Sequence, residues 1–345
     1  MKIALYPSHP SQLWMLKPVA DDLAKDNEIF WIMRDKDVTL ELADAMGIEY
    51  TRLSVASNGL IGNGMEMAAN LLRCINHTLR EKIDVWVTKY GAGNCAARLC
   101  LKKTLSFNDD DADIVPLIAA TSYKPAHAVL VPSVTRMGRY ERKARRYNGS
   151  HELFYLHPNR FKPNASVYEL LGIPSSQRFA IVRLSALRAH HDLGIRGISA
   201  QLVQDLIETC GHEIRVFISS EAPVAAEFEA YRLPIPAMRI LDAMYYAEFL
   251  VADSQTMSAE AATMGTTSFR ISDFVGKLSY IDELERYGLS FGFRPDDYEL
   301  AIQQVAAAVR DPEFKVGCRK NLVAFLDNKI DPVPWFADQI RSIVR

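Results

Sequence analysis

Short apolar runs separated by helical periods recur along the whole chain, and that alternation fixes the class of fold. Residues 2–7, 28–33, 49–53, 83–88, 104–107 and 128–132 read as strands, most of them short apolar runs. Between them, sets such as Leu13, Leu16, Val19 and Leu23 recur at helical spacing. Strands alternating with helices predict a parallel sheet whose loops gather at the carboxyl edge, where such folds bind ligands. A second alternation follows, with strands at 179–184, 214–219 and 249–252 around a helix at 199–210. Pro158, Pro163 and Pro174 mark residues 157–178 as a connector. The expected organisation is a first α/β domain over 1–156, the connector, and a second over 179–345, which 345 residues can accommodate.

The bulk numbers exclude several classes. Apolar residues make up 49% and charged residues 24%, which rules out a disordered chain. A net charge of −2 supplies no field to recruit nucleic acid. Five scattered cysteines with no CxxC pair suggest neither a disulfide framework nor a zinc site, so a reducing cytoplasm is the expected compartment. No apolar run has the length of a membrane span, and residues 1–7 read as a first strand rather than a signal peptide.

The most informative stretch runs from Phe249 to Phe269. It reads as a buried strand, a polar turn over Asp253, Ser254, Gln255 and Thr256, a helix, and a stop at Gly265. Such a turn points free N–H groups outward at the positive end of a helix dipole, a place for an anion such as a diphosphate. Glu260 lies four residues beyond Thr256 on the same helix face, placed to accept hydrogen bonds from ribose hydroxyls. The plainer reading is a capped helix with Ser254 as its N-cap.

The order Asp-Ser-x-x-x-x-x-Glu-Ala-x-x-x-Gly resembles the sugar-nucleotide motif of GT-B glycosyltransferases and of the related non-hydrolysing UDP-GlcNAc 2-epimerases. Further pieces are His9-Pro10 ahead of Lys17-Pro18, Phe107-Asn108-Asp109, Tyr147-x-Gly149-x-x-Glu152, and Phe274-x-Gly276-Lys277. Together they are similar to an uncharacterised bacterial and archaeal family placed near the GT-B enzymes, over most of the chain. The resemblance implies two Rossmann-like domains with a cleft between them, and a last helix, 335–344, packing back on the first domain. It implies a donor site of Arg183, Asp253, Ser254, Gln255, Thr256, Met257, Glu260 and Lys277, with Arg183 and Lys277 neutralising diphosphate. The nucleotide-sugar, with uridine the expected base, is a substrate; no bound cofactor and no metal is expected.

In the first half, His9 is the first choice of general base, with Asp109 and Asp111 as alternatives. Each has a plain alternative as a helix cap. Pro10, Gln12, Gly91, Gly93, Asn108 and Glu152 are candidates for the acceptor side, Gly91 and Gly93 because glycine lets backbone approach a ligand. The expected acceptor is a surface glycan or a lipid-linked one. The basic segment 136–146, with Arg136, Arg139, Arg142, Lys143, Arg145 and Arg146, is either a solvated face or a contact for an anionic acceptor or lipid headgroups at the inner face of a membrane. Three places depart from the family pattern: Gln12 stands where a second histidine is expected, Asp111-Ala112 where Glu-His is, and Asp253-Ser254-Gln255 where a pair of small residues would let backbone approach phosphate. The first two weigh against a 2-epimerase and keep open a sugar-nucleotide-binding protein without catalysis. His190, His191 and Asp192 read as a polar loop, since adjacent histidines point apart.

Overall fold

The computed structural model describes residues 1–55, 60–185, 197–220 and 223–343. His190, His191 and Asp192 lie outside them. The chain divides into two units, Met1–Arg160 with Ile330–Arg345, and Phe161–Lys329. The division thus falls at Arg160, and much of the expected connector belongs to the second unit, where it forms a helix at Val167–Leu171.

Among the described residues the first unit holds seven strands, all parallel: β1 (Lys2–Tyr6), β2 (Glu28–Asp35), β3 (Tyr50–Val55), β4 (Val85–Thr88), β5 (Lys103–Phe107), β6 (Ala128–Pro132) and β7 (Ala144–Tyr147). Their order is β3-β2-β1-β4-β5-β6-β7. The order reverses between β1 and β4, which opens a crevice beyond their carboxyl ends. Continuous apolar runs such as Val85–Thr88 are buried throughout, as a sheet covered on both faces requires.

Right-handed crossovers put the helices Leu60–Glu81 and Gly91–Leu99 on one face and Pro10–Leu23 on the other. The last helix, Pro332–Ser342, also belongs to this unit and packs on Pro10–Leu23. Arg341 holds Asp22 at 3.0 Å, and the Phe336 ring meets Phe107 and Phe154.

The basic segment is part of this architecture. Residues 138–143 form a 3₁₀ turn that leads into β7. Lys143 donates to the carbonyls of Tyr123, Lys124 and Ala126. Arg146 binds Glu141 and three carbonyls, Arg145 donates to Gln339, and Arg136 pairs with Asp111. Met137 is buried and Tyr140 packs edge-on against Tyr123, so most of the segment's charges and aromatics hold the unit together.

The second unit has five parallel strands among the described residues: β8 (Phe179–Leu184), β9 (Arg215–Ser220), β10 (Phe249–Ala252), β11 (Thr267–Ile271) and β12 (Ser290–Phe293). The order β12-β11-β10-β8-β9 has its switch point between β8 and β10. Its core joins Val182, Leu206, Phe249, Val251, Phe269 and Val305. No helix among the described residues is long and apolar enough to cross a membrane.

Candidate functional site

Each unit carries a cluster of polar groups at the carboxyl edge of its sheet. In the second unit it is the turn between β10 and the helix Gln255–Thr263. Ser254 is the N-cap, and its hydroxyl accepts from the Met257 N–H at 3.3 Å. The N–H groups of Gln255 and Thr256 donate to no atom of the described residues, as the first turn of a helix requires. Asp253, nearly buried, ties the two switch-point loops together. Its carboxylate accepts from the N–H of Ser185 at 2.7 Å and from that of Ile198 at 3.5 Å. Burial raises its pKa, against the pull of those N–H bonds. Asp253 therefore builds the loop rather than facing a ligand.

Gln255 is also engaged within the protein. Its amide donates to Ser272 Oγ at 2.9 Å and its oxygen accepts from Arg270 at 2.6 Å. Arg270 is fully buried and also reaches Glu285 at 3.0 Å, so it anchors the first turn of the helix from β11. Sequence reading missed Arg270, which sits inside the buried strand β11 between Phe269 and Ile271. Ser254, Thr256 and Met257 are half-buried, whereas Glu260 is buried. Arg183, the last residue but one of β8, donates to Ser219 Oγ at 2.9 Å. Lys277 is exposed, with its ammonium 5.9 Å from the Phe274 ring centroid.

In the first unit the edge residues follow β1, β4, β5 and β7. His9 caps the helix Pro10–Leu23, and Pro10 takes the first helical position, where its missing N–H costs nothing. The His9 Nδ1 accepts from the Ser11 N–H at 3.2 Å and lies 2.8 Å from Ser11 Oγ. An accepting Nδ1 places the proton of the neutral ring on Nε2, so His9 presents a donor there rather than a base. Gln12 fastens the same loop, accepting from the Ser8 N–H at 2.9 Å and the Ser8 hydroxyl at 3.2 Å.

The three consecutive aspartates diverge. Asp109 Oδ2 lies 3.2 Å from Nδ1 of His151, Asp110 takes Lys89 at 2.9 Å, and Asp111 accepts from the Arg136 N–H at 2.6 Å. Asp111 is fully buried, and with its guanidinium bond to Arg136 at 2.9 Å it pins the loop after β6. The catalytic alternative expected for it gives way to that structural role. Asn108, also buried, accepts from the N–H groups of Asp109 and Asp110 and bonds the Tyr123 hydroxyl, which shapes the turn.

Burial opposes the charge on Asp109, but the His151 ring, its hydrogen bond and Lys89 together hold the carboxyl well below the usual carboxylate range. A carboxylate on Nδ1 leaves the Nε2 lone pair of neutral His151 as the proton acceptor. That Nε2 is buried and has no hydrogen-bond partner among the described residues. Glu152, also buried, has a partnerless Oε2. Burial, with Asp109 nearby, pushes its pKa up to about 7. His151 escaped the sequence reading because its partner lies 42 positions away; only its place between Gly149 and Glu152 hinted at it.

Gly91 and Gly93 are not in an open loop. Both belong to the first turns of Gly91–Leu99 and are buried. A Cβ on Gly91 would stand 2.7 Å from Thr121 Cβ, and one on Gly93 2.9 Å from the Trp86 ring. These glycines let protein approach protein. Among the described residues no three His, Cys, Asp or Glu side chains gather as a metal site.

No protein-family model and no curated protein sequence matches the chain, so the resemblance to the uncharacterised family rests on the motifs alone. Solved structures do match. S. aureus MnaA in complex with UDP aligns over 99% of this chain and 94% of that one, with 10% identity and a TM-score of 0.68. The spinosyn forosaminyltransferase SpnP aligns over 99% and 100%, with 13% identity and a TM-score of 0.64. The UDP-GlcNAc 2-epimerase of Methanocaldococcus jannaschii aligns over 94% and 99%, with 12% identity and a TM-score of 0.63. At such identities the likeness is one of fold, and the fold is the α/β GT-B type built on two parallel sheets.

Proposed function

We propose that the protein is a glycosyltransferase that takes its sugar from a nucleotide-sugar, with UDP as the carrier. The observation that carries the reading is the turn at the β8/β10 switch point. There the open N–H groups of Gln255 and Thr256 and the helix dipole offer a diphosphate two hydrogen bonds and a positive field, without a metal. Arg183 and Lys277 add positive charge at the carboxyl edge of the same sheet, and Glu260 is assigned to the ribose.

The first unit supplies the acceptor side, a glycan or lipid-linked hydroxyl. We assign the general base to His151, oriented by Asp109 and reaching its proton directly or through one water. His9, carrying its proton on Nε2, serves as a hydrogen-bond donor. Asn108, Gln12 and Glu152 shape this side.

A second reading is a sugar-nucleotide 2-epimerase. Glu152, half-protonated near neutrality, and the ionised Asp109 beside His151 form a pair of acid and base groups held apart in pKa, which elimination and re-addition at the sugar would use.

The test is a thermal-shift titration with uridine, guanosine, cytidine and thymidine diphosphates on the wild type and on Thr256→Glu. A ligand that binds only the folded state must raise stability. Thr256 is half-buried at a helix N-terminus, where a glutamate suits the dipole but repels an anion. A rise with UDP that Thr256→Glu abolishes, with the unliganded melting temperature held, supports the donor site. No rise with any diphosphate sinks it. UDP-GlcNAc incubated without acceptor then separates the two readings: conversion to the 2-epimer reverses their order.

A further inference from the structure

The two helix layers of the first unit show opposite charge to solvent, although the whole chain is near neutral at −2. One layer consists of Leu60–Glu81, Gly91–Leu99 and the short turns Pro116–Ile118 and Ala119–Tyr123, packed side by side. Its exposed charges are Arg73, Arg80 and Arg98, and Lys82, Lys103 and Lys124 follow shortly after these elements. No carboxylate on this layer is exposed among the described residues. Glu66 is buried against Arg34, and Glu81 pairs with Arg80 at 2.7 Å. Asp113, in the loop ahead of Pro116, lies 4.0 Å from Arg136.

The other layer, Pro10–Leu23, Thr39–Ala45 and Pro332–Ser342, is the reverse. Its exposed charges among the described residues are Asp21, Glu41, Asp44 and Asp338, while Lys17 and Arg341 are held in ion pairs. The layers differ equally in apolar surface. Met65, Leu72, Leu79, Leu99, Leu101 and Leu117, all on or just beyond the cationic layer, are 64% to 93% exposed. The acidic layer exposes no large apolar side chain among the described residues. Scattered exposed apolars are ordinary; six of them among cations on one layer are not.

Leu101 is the most telling of the six. It follows the C-cap Cys100 of Gly91–Leu99 in a left-handed conformation, with φ +57°. Its N–H donates to the Arg98 carbonyl and that of Lys102 to the Ala97 carbonyl, the paired bonds that close a helix. Glycine is the residue this backbone favours. A leucine here strains the chain and, 93% exposed, buries almost nothing within it. Folding does not account for its presence; an apolar medium outside the protein does.

We propose that this layer is a membrane-contact face that lies on an anionic phospholipid bilayer. The five leucines and Met65 enter the boundary between headgroups and acyl chains, and the arginines and lysines meet the headgroup phosphates. Charge names the occupant: a nucleic acid would match the cations but has no use for six apolar side chains. The acidic layer, repelled by the same surface, turns to solution and fixes the orientation. The helices lie in the plane, since none among the described residues is long and apolar enough to cross. Six cations at a surface of this kind favour an anionic over a neutral membrane by roughly 10²- to 10³-fold at low salt. This attachment does not depend on the reaction assigned above.

Co-sedimentation of the full chain with phosphatidylcholine vesicles, plain or carrying about 30% phosphatidylglycerol, tests it in about 0.1 M salt. The wild type should pellet with the anionic vesicles and stay largely in solution with the neutral ones. Leu101→Gly should bind about tenfold more weakly while its melting temperature holds or rises, because glycine suits the backbone there. Leu72→Glu should lose binding at least as far, and Arg73→Glu with Arg98→Glu should remove the preference for phosphatidylglycerol. Leu300→Glu, at a 53% exposed position in the second unit, should bind as wild type does. A wild type that ignores anionic vesicles overturns the proposal. So does equal binding to both vesicles, or binding that Leu101→Gly and Leu72→Glu leave unchanged. A chain that ignores vesicles but doubles its 38.8 kDa mass in light scattering, and reverts in Leu72→Glu, gives the face to a second copy instead.

Discussion

Asp109 Oδ2 lies 3.2 Å from His151 Nδ1, and this pair bridges the loop after β5 to the loop after β7. The carboxylate sets which ring nitrogen keeps the proton. In the neutral form of each ring, the expected tautomer carries the proton on Nδ1 of His151 and on Nε2 of His9. Histidine-labelled ¹⁵N spectra distinguish the two tautomers, with His151→Gln and His9→Gln assigning the signals. An Nε2-protonated His151 would remove it as the base.

The same pair predicts kinetics. His151→Gln should lower turnover of a nucleotide-sugar by about 10²- to 10⁴-fold, the usual worth of a general base. The thermal shift with UDP should stay within error of wild type, because the donor turn belongs to the other unit. His9→Gln should cost much less. A His151→Gln variant of full activity that still binds UDP would leave the donor site standing and dismiss the base.

Glu152 ties stability to pH. Its folded pKa, about 7, lies above the ordinary glutamate value of 4.5, chiefly through burial. The folded state therefore binds the proton more tightly than the unfolded state. Protonated Glu152 favours folding below about pH 4.5, and that contribution fades as pH rises through 7. Glu152→Gln, neutral at every pH, should match wild type near pH 4.5 and exceed it at pH 8 by up to roughly 3 kcal/mol. Urea unfolding at both pH values gives the difference; equal gains at the two would contradict the buried acid.

Gly93→Ala tests the packing role of that glycine. Its new Cβ would press on the Trp86 ring at 2.9 Å and Thr88 Cγ2 at 3.0 Å. Overpacking of this kind costs about 1–3 kcal/mol. Denaturant midpoints should fall accordingly while the UDP shift is retained. Unchanged stability with lost activity would return Gly93 to the acceptor site.

Arg270→Met removes the buried cation beneath the donor turn. Glu285 and the Gln255 oxygen would each lose a charged donor, at 3.0 and 2.6 Å. Breaking a buried pair from one side costs about 3–5 kcal/mol. The urea midpoint should fall, and UDP affinity should weaken as the helix N-terminus loses its anchor. Arg270→Met combined with Glu285→Gln should recover part of the stability, since no carboxylate is then left unpaired.

The sequence by itself determined the architecture and the turn. Apolar runs such as Val85–Thr88 and Phe249–Ala252, set between helical periods, admit little besides parallel α/β sheets, because each run must be buried on both faces. Ser254 as an N-cap was equally legible, since capping is a matter of three or four neighbouring residues. Tertiary structure alone decided which polar groups are spoken for. Asp253, Gln255 and Asp111 face the right edge of their sheets, yet Ser185, Arg270 and Arg136 claim them from 68, 15 and 25 positions away. The Asp109–His151 pair and the seventh strand drawn from the basic segment arise the same way. A charge on a linear chain carries no mark of its partner; only the folded sheet edge brings the two together, and the cost of burying either alone holds them there.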